Sequence, residues 1–222
     1  LKAQLSLVER IPDGPARAGR PVPARHAASL LVVRGGADGP EVLMGIRGSG
    51  HRFMPNRLVF PGGAVDAADR TAAAAAEPRP ALLAMLERLP HRRLARAIAM
   101  AAARELEEET GLSLGTPPRL DTMHYLCRAI TPARSPIRFN ARFLVTMAEA
   151  TTGTLSDSTE LHDVRFIPVH EALNLGLMLV TREVLLQLVQ WLALSPEQRD
   201  ARAATSVFRN EAWGTEGAAA IR

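Results

Sequence analysis

Apolar and polar positions along the chain fall into segments of two periods. Residues 28–33 (ASLLVV) form a short apolar run, the pattern of a buried strand. Residues 34–40 (RGGADGP) carry turn chemistry and residues 41–47 (EVLMGIR) read as a second strand, so the pair predicts a hairpin. Further strands are expected around 122–130, 139–147 and 164–167. Arg92–Thr110 has strong helix formers throughout and no internal Gly or Pro, with Gly111 placed to end it. A short helix is expected over 81–89, and two more near 181–194 and 196–204. Residues 10–25, rich in Pro, Gly and Arg, read as an irregular lead-in, and 214–222 as a loose tail. Strands and helices mix without regular βαβ alternation, which favours a mixed sheet with packed helices over a doubly wound sheet.

Length and composition narrow this picture. A chain of 222 residues, 47% hydrophobic and 23% charged, is large enough for one full-sized domain and is neither disordered nor membrane-embedded in composition. Among the 27 Lys+Arg only Lys2 is lysine, and alanine is also in excess. A net charge of +4 over this length is too weak to imply a nucleic-acid partner, and no basic-aromatic stretch appears. The single cysteine, Cys127, excludes an internal disulfide and reads as a buried strand residue. It agrees with a reducing, cytoplasmic setting, and the absence of an 18-residue apolar run argues against a membrane span. The start, Leu1-Lys2-Ala3-Gln4, has neither an initiator Met nor a signal-peptide pattern and reads as trimmed. Trp191 has core-like helical spacing within 183–194, so it is expected to pack inside the chain or at a homodimer interface.

The candidate chemistry lies in Arg104–Leu112, R-E-L-E-E-E-T-G-L. On a helix Glu105, Glu108 and Glu109 share one arc of roughly 100°. Like charges at these spacings repel by a few tenths of a kcal/mol per pair, so a solvated acidic face would be the plain reading of a bare run. Three carboxylates on one face also suit a hard divalent cation, which leaves coordination positions for water and phosphate. Glu107 points from another face. Upstream, Phe60-Pro61-Gly62-Gly63 forms a turn whose backbone, lacking Cβ atoms at both glycines, allows close approach of a ligand.

These residues resemble the Nudix hydrolase signature, G-x5-E-x7-R-E-U-x-E-E-x-G-U, where U is a bulky aliphatic. Arg104, Glu105, Leu106, Glu108, Glu109, Gly111 and Leu112 meet its second half. Gly63, followed after five residues by Asp69, meets the first half with Asp for Glu. Thirty-four residues then separate Asp69 from Arg104 where seven are usual, so an insertion of 27 splits the box and the role of Asp69 stays open. A motif of coenzyme A diphosphatases, L-L-T-x-R-[SA]-x3-R-x3-G-x3-F-P-G-G, is similar to Leu43 through Gly63. Arg47 and Arg52 match it, while Gly45, Gly48 and Asn56 replace Thr, Ser/Ala and Gly. The split box, preceded by F-M-P-N and followed by V-D-A-A-D, looks like the peroxisomal branch of those enzymes.

The resemblance covers about residues 28–175. It implies a single α/β domain over 1–222, a Nudix-type α/β/α sandwich with a mixed sheet. A helical insertion would occupy about 70–95 and a helical C-terminal extension about 178–222. It implies Mg²⁺ or Mn²⁺ held by Glu105, Glu108, Glu109 and Gly63, with Arg47, Arg52, Gly62 and Gly63 meeting the substrate. Arg104 would orient a glutamate of the box. The general base would come from Glu108 or Glu109, or from Glu160 in the loop before the 164–167 strand. The expected activity is pyrophosphate hydrolysis of a small nucleotide, coenzyme A or an acyl-CoA first, with ADP-ribose, a dinucleotide or a nucleotide sugar as the alternative. A non-turnover Nudix-fold binding module is a weaker reading, because a pure binder has no need of every metal-ligand carboxylate.

Overall fold

The computed structural model describes residue 9 and residues 22–50, 55–86, 92–202 and 204–216. In chain order the strands are β1 (Arg25–Gly36), β2 (Gly39–Arg47), β3 (Leu58–Val59), β4 (Gly62–Ala64), β5 (Leu112–Ser113), β6 (His124–Ile130), β7 (Phe139–Met147), β8 (Thr152–Gly153), β9 (Leu161–Pro168), β10 (Thr205–Arg209) and β11 (Ala212–Glu216). The helices are α1 (Pro80–Leu86), α2 (Arg92–Thr110), α3 (Val169–Ala172), α4 (Leu179–Leu192) and α5 (Pro196–Asp200). Among the described residues no helix is long and apolar enough to cross a membrane.

Nine strands form one mixed sheet in the order β11-β10-β6-β7-β1-β2-β3, with β4 on β1 and β9 on β2. The organising strand is β1. Along Arg25–Val33 it runs parallel to β7, and its other side is divided. Ala27–Ser29 pairs with β4, whereas Val33–Gly36 pairs with β2 through the expected hairpin. Where the two partners part, the sheet opens, and Gly62–Gly63 sits at that opening.

Period-two alternation sends side chains to two cores. Leu30, Val32, Leu43 and Leu144 pack toward α1 and α2, while Leu31, Val33, Val42, Met44 and Val145 pack toward α3 and α4. The result is the expected helix–sheet–helix sandwich. A register shift in β6 between Tyr125 and Cys127 turns Leu126 and Cys127 to the same side, and Cys127 is fully buried. Trp191 is buried within the chain. On α2, Ala95, Ala99 and Ala102 let the helix lie close to the sheet while Ile98 and Leu106 fill the core. Burying each of the two larger side chains contributes roughly 1.5–3 kcal/mol. The helix spans Arg92–Thr110 as expected and stops at Gly111, whose φ of +72° suits glycine. A Cβ there would stand 2.5 Å from the Thr154 carbonyl.

Three segments differ from the sequence expectation. Among the described residues of the insertion, α1 covers Pro80–Leu86 and α2 begins at Arg92, but the alanine run before them stays extended, because Ala75 and Ala76 pair with the backbone of Pro118 and Leu120. Tertiary hydrogen bonds override the helical preference of alanine here. The C-terminal extension is helical only to Asp200 and then forms the β10–β11 hairpin, which joins the main sheet parallel to β6. Residues 214–216 are therefore strand, and 217–222, like 10–21 of the lead-in, lie outside the described residues.

Candidate active site

Arg104 organises the site. Its Nε and Nη2 donate to the two carboxylate oxygens of Asp69 at 3.0 and 3.2 Å, and Nη2 also donates to the Ala64 carbonyl at 3.1 Å. Its Nη1 donates to Glu105 at 2.8 Å and to Glu108 at 2.9 Å. Asp69 is only 2% exposed and also accepts from the Asp66 backbone N–H at 2.7 Å. Across 34 intervening residues the fold brings Asp69 to the Arg104 guanidinium. The shared Asp69 and Glu105 carboxylates hold Arg104 firmly charged, raising its pKa against the effect of burial.

Glu109 faces the opposite way. It is buried and accepts from the Gly62 backbone N–H at 2.8 Å. Glycine is required at Gly62, and at Gly63 it leaves room for the Glu105 carboxylate. A Cβ on Gly62 would collide with the Ala28 carbonyl and Ser29, and one on Gly63 would collide with the Glu105 carboxylate. Glu108 and Glu109 also occupy the last turn of α2, where the helix dipole disfavours negative charge.

Burial pushes the Glu109 carboxyl up to about 7, with the neighbouring charges of Glu105 and Glu160 adding to the rise, and burial raises Glu105 as well. An acid whose folded pKa lies above its ordinary 4.5 holds its proton more tightly when folded. Its contribution to the stability of metal-free protein therefore falls as pH rises from about 4.5 to about 7. His124 works in the opposite sense. Burial and Arg79 lower it to about 4, so its contribution falls as pH drops below 6.5. Glu109→Gln keeps an acceptor for Gly62 and leaves His124 untouched. In chelator-treated protein it is expected to gain roughly 1–3 kcal/mol over wild type at pH 8 and nothing comparable at pH 4. Urea denaturation at the two pH values measures this; an equal difference at both would show that Glu109 carries no burial penalty.

A cleft of about 700 Å³ joins these groups to the rest of the molecule. At one end it is lined by Arg47, Arg104, Glu105, Glu108 and Glu160, with Gly62 and Gly63 in its floor. Its lining extends to Phe143 on β7, Leu179–Thr181 of α4 and Phe208, Asn210 and Glu211 of the β10–β11 hairpin. Arg47 donates weakly to the Gly62 carbonyl at 3.5 Å and presents its fork to the cleft. Glu160, from the loop before β9, lines the same end. Arg52 lies outside the described residues. Arg47, Gly62, Gly63, Arg104, Glu105, Glu108 and Glu160 thus line one cleft, while Glu109 is buried beside it against Gly62. The replacement of Thr by Gly45 has a packing cause: a Cβ there would stand 2.5 Å from the Leu161 side chain.

The carboxylates suit a divalent cation in kind, being hard oxygens beside a bare glycine backbone. Among the described residues no set of three already converges to hold one. Arg104 stands between Glu105 and Glu108, and Glu109 is turned to Gly62. Glu108 is 58% exposed, which leaves it free to turn.

Residues 95–189 match the NUDIX domain family. The match begins inside α2, after the insertion, so Gly63 and Asp69 fall outside it. Over these residues the chain is similar to that family. The NUDIX hydrolase of Alicyclobacillus acidocaldarius is 25% identical, with a TM-score of 0.59 over 76% of this chain and 92% of that one. The NUDIX domain of Shewanella oneidensis NrtR, solved with ADP ribose, is 15% identical, with a TM-score of 0.52 over 78% and 90% of the two chains. The MutT protein of Methanosarcina mazei Go1 is 14% identical, with a TM-score of 0.50 over 78% and 97%. The last two likenesses are of fold alone. No curated protein matches the chain. The Nudix-type mixed-sheet sandwich expected from the split box is thus borne out, and the family match agrees with the resemblance.

Sequence reasoning missed two features. The β10–β11 hairpin hides behind a turn, Asn210-Glu211, that lacks the usual glycine. Arg142 on β7 is 2% exposed and donates to His26 Nδ1 at 2.9 Å and to the Asn140 carbonyl at 2.8 Å. Burial lowers it to about 10, which still leaves it charged at neutral pH. The run around Arg142, R-F-L-V-T-M, reads simply as strand, and nothing in it marks a buried cation.

Proposed function

We propose that this Nudix hydrolase domain cleaves the pyrophosphate linkage of a nucleoside diphosphate-X compound. The leading substrate is coenzyme A or an acyl-CoA, giving 3′,5′-ADP and (acyl-)4′-phosphopantetheine. One observation carries the reading: Arg104 joins the two halves of the box through Asp69 and presents Glu105 and Glu108 to a cleft that also holds Arg47 and Glu160. The upstream motif with Arg47 supports coenzyme A. Its departures at Gly48 and Asn56 favour the second reading, ADP-ribose or another nucleoside diphosphate compound.

Glu105, Glu108 and Glu109, with the Gly63 backbone, would hold Mg²⁺ or Mn²⁺. When bound there, the ion supplies charge neutralisation for the diphosphate and lowers the pKa of a coordinated water. Arg47 meets phosphate oxygens with a planar, permanently charged fork. Water adds to one phosphorus, the bridging P–O bond breaks, and the water proton passes to Glu108 or Glu160, which line the cleft, or to Glu109 buried beside it. Arg104 touches no substrate in this scheme and fixes the carboxylates instead.

The test is to incubate the purified protein with CoA, acetyl-CoA, ADP-ribose, NADH and diadenosine polyphosphates, with Mg²⁺ or Mn²⁺, and to resolve the products. CoA is expected to yield 3′,5′-ADP. Turnover of ADP-ribose without CoA would remove the substrate assignment alone. No turnover of any anhydride would remove the hydrolase reading.

A further inference from the structure

On the face of the sheet away from the cleft, cations collect in excess of anions. Ala27, Ala129 and Ala141 lie level with one another on β1, β6 and β7 and line the cleft. Alternation therefore turns their neighbours His26, Arg128 and Arg142 to the opposite face, the side of α1 and α2. Arg70, which opens the insertion, is exposed and close enough for its charge to act on the His26 ring. None of these four residues lines the cleft.

Arg142 is the buried floor of this group. Both of its hydrogen bonds leave from Nη1, to His26 Nδ1 and to the Asn140 carbonyl, and both acceptors are neutral. Among the described residues its Nε and Nη2 donate to nothing and it makes no ion pair. Arg128 stands beside it at the paired position on β6. Its Nε donates to Asn140 Oδ1 at 2.6 Å, and its Nη1 donates to the two Glu216 oxygens at 2.9 and 2.7 Å. The carboxylate whose charge reaches Arg142 is therefore already bonded to Arg128. A guanidinium only donates, so His26 Nδ1 carries the lone pair and the ring proton sits on Nε2. Burial, and then the charges of Arg142, Arg128 and Arg70, lower the His26 pKa and keep the ring neutral.

We propose that this cluster binds a phosphate dianion, either free or as a phosphomonoester. Charges are seldom buried without a partner, because desolvation is costly, and an anion at the mouth of the cluster offsets that cost. Arg70, Arg128 and Arg142 set against Glu216 leave an excess of two positive charges, which a dianion balances and a single carboxylate does not. The donors suit phosphate as well. Arg128 Nη2 and His26 Nε2–H donate to no described residue, and both side chains are partly exposed, as Arg70 is fully. Arg142 supplies charge from beneath them, where low dielectric strengthens it. The insertion contributes Arg70, so the site belongs to the split form of the box, and it is independent of the hydrolase reading.

Thermal melts of the chelator-treated full chain test this, comparing inorganic phosphate with KCl at equal ionic strength. No substrate or metal is present, so the result does not depend on whether the chain cleaves an anhydride. At about ten times its Kd, phosphate is expected to raise the wild-type Tm by roughly 3–5 °C over KCl. Arg142→Met is expected to melt at or above wild type without phosphate, because an apolar chain replaces a poorly compensated charge, and to lose most of the phosphate response. Arg70→Ala, at an exposed position, is expected to keep the phosphate-free Tm and to weaken phosphate about threefold or more. Arg47→Ala, which alters the cleft instead, is expected to respond as wild type does. The His26 ring signals in NMR should show the Nε2–H tautomer and shift with the same Kd, which locates the ion even if Arg142→Met does not fold. AMP in place of phosphate separates the sources: an equal His26 shift assigns a phosphomonoester, and no shift assigns the free ion. A rise no larger than with KCl, a full response in Arg142→Met or Arg70→Ala, or a response abolished by Arg47→Ala would each overturn the site.

Discussion

Glu108→Gln is expected to lower kcat/KM by about two to four orders of magnitude while leaving Tm within a degree or two of wild type. The two halves of that expectation have separate causes. The Glu108 side chain is 58% exposed, and its described partner is Arg104 Nη1 at 2.9 Å, which an amide oxygen also accepts. Exposed, nearly isosteric changes of this kind lie within about 0.5 kcal/mol in stability. The loss of rate comes from charge. The proposed cation site would lose one of its three carboxylates, and the transition-state stabilisation such a site supplies is worth several kcal/mol. Each 1.36 kcal/mol is tenfold in rate. Steady-state kinetics with Mg²⁺ and with Mn²⁺, alongside thermal melts, measure both quantities. Activity within threefold of wild type would show that Glu108 is not a ligand, and the metal-site assignment would fall with it.

The site was legible in sequence wherever one local element carries it. Glu105, Glu108 and Glu109 lie within two turns of one helix, so spacing alone placed them, and Gly111 marked where that helix ends. Phe139–Met147 was legible in full because it is an uninterrupted strand pattern. What escaped depends on pairing across the fold. Asp69 lies 35 positions from Arg104, and nothing local says that the chain between them returns to its start. The alanine run ahead of α1 has every local reason to be helical, yet the Pro118–Leu120 backbone captures it. The C-terminal hairpin was hidden because its turn, Asn210-Glu211, takes positive φ without the glycine that ordinarily marks such a turn.

The second large effect concerns that hidden pairing. Asp69→Ala is expected to destabilise the protein by roughly 2–3 kcal/mol and to lower kcat/KM by about 10- to 100-fold. Asp69 is 2% exposed and accepts three hydrogen bonds, two of them from a guanidinium. Removing one partner of a buried ion pair costs about 3–5 kcal/mol. Arg104 is 27% exposed and keeps Glu105 and Glu108, so water and those carboxylates recover part of that. For a chain of this size the remainder corresponds to a fall in Tm of roughly 5–10 °C. The loss of activity has a different origin. Without Asp69 the Nε edge of Arg104 is released, and its Nη1 no longer holds Glu105 and Glu108 at a fixed angle. Partners that orient metal-ligating side chains typically contribute 10–100-fold. A purely structural role would lower stability and leave the metal response alone. A positioning role shifts the Mg²⁺ concentration needed for half-maximal rate, and it is restored by Asp69→Glu, which returns a carboxylate to the guanidinium and installs the residue usual at this position of the signature. Mg²⁺ titrations of wild type, Asp69→Ala and Asp69→Glu below their melting temperatures separate the two. An Asp69→Ala enzyme with an unchanged Mg²⁺ requirement would show that the insertion returns Asp69 to Arg104 for stability alone.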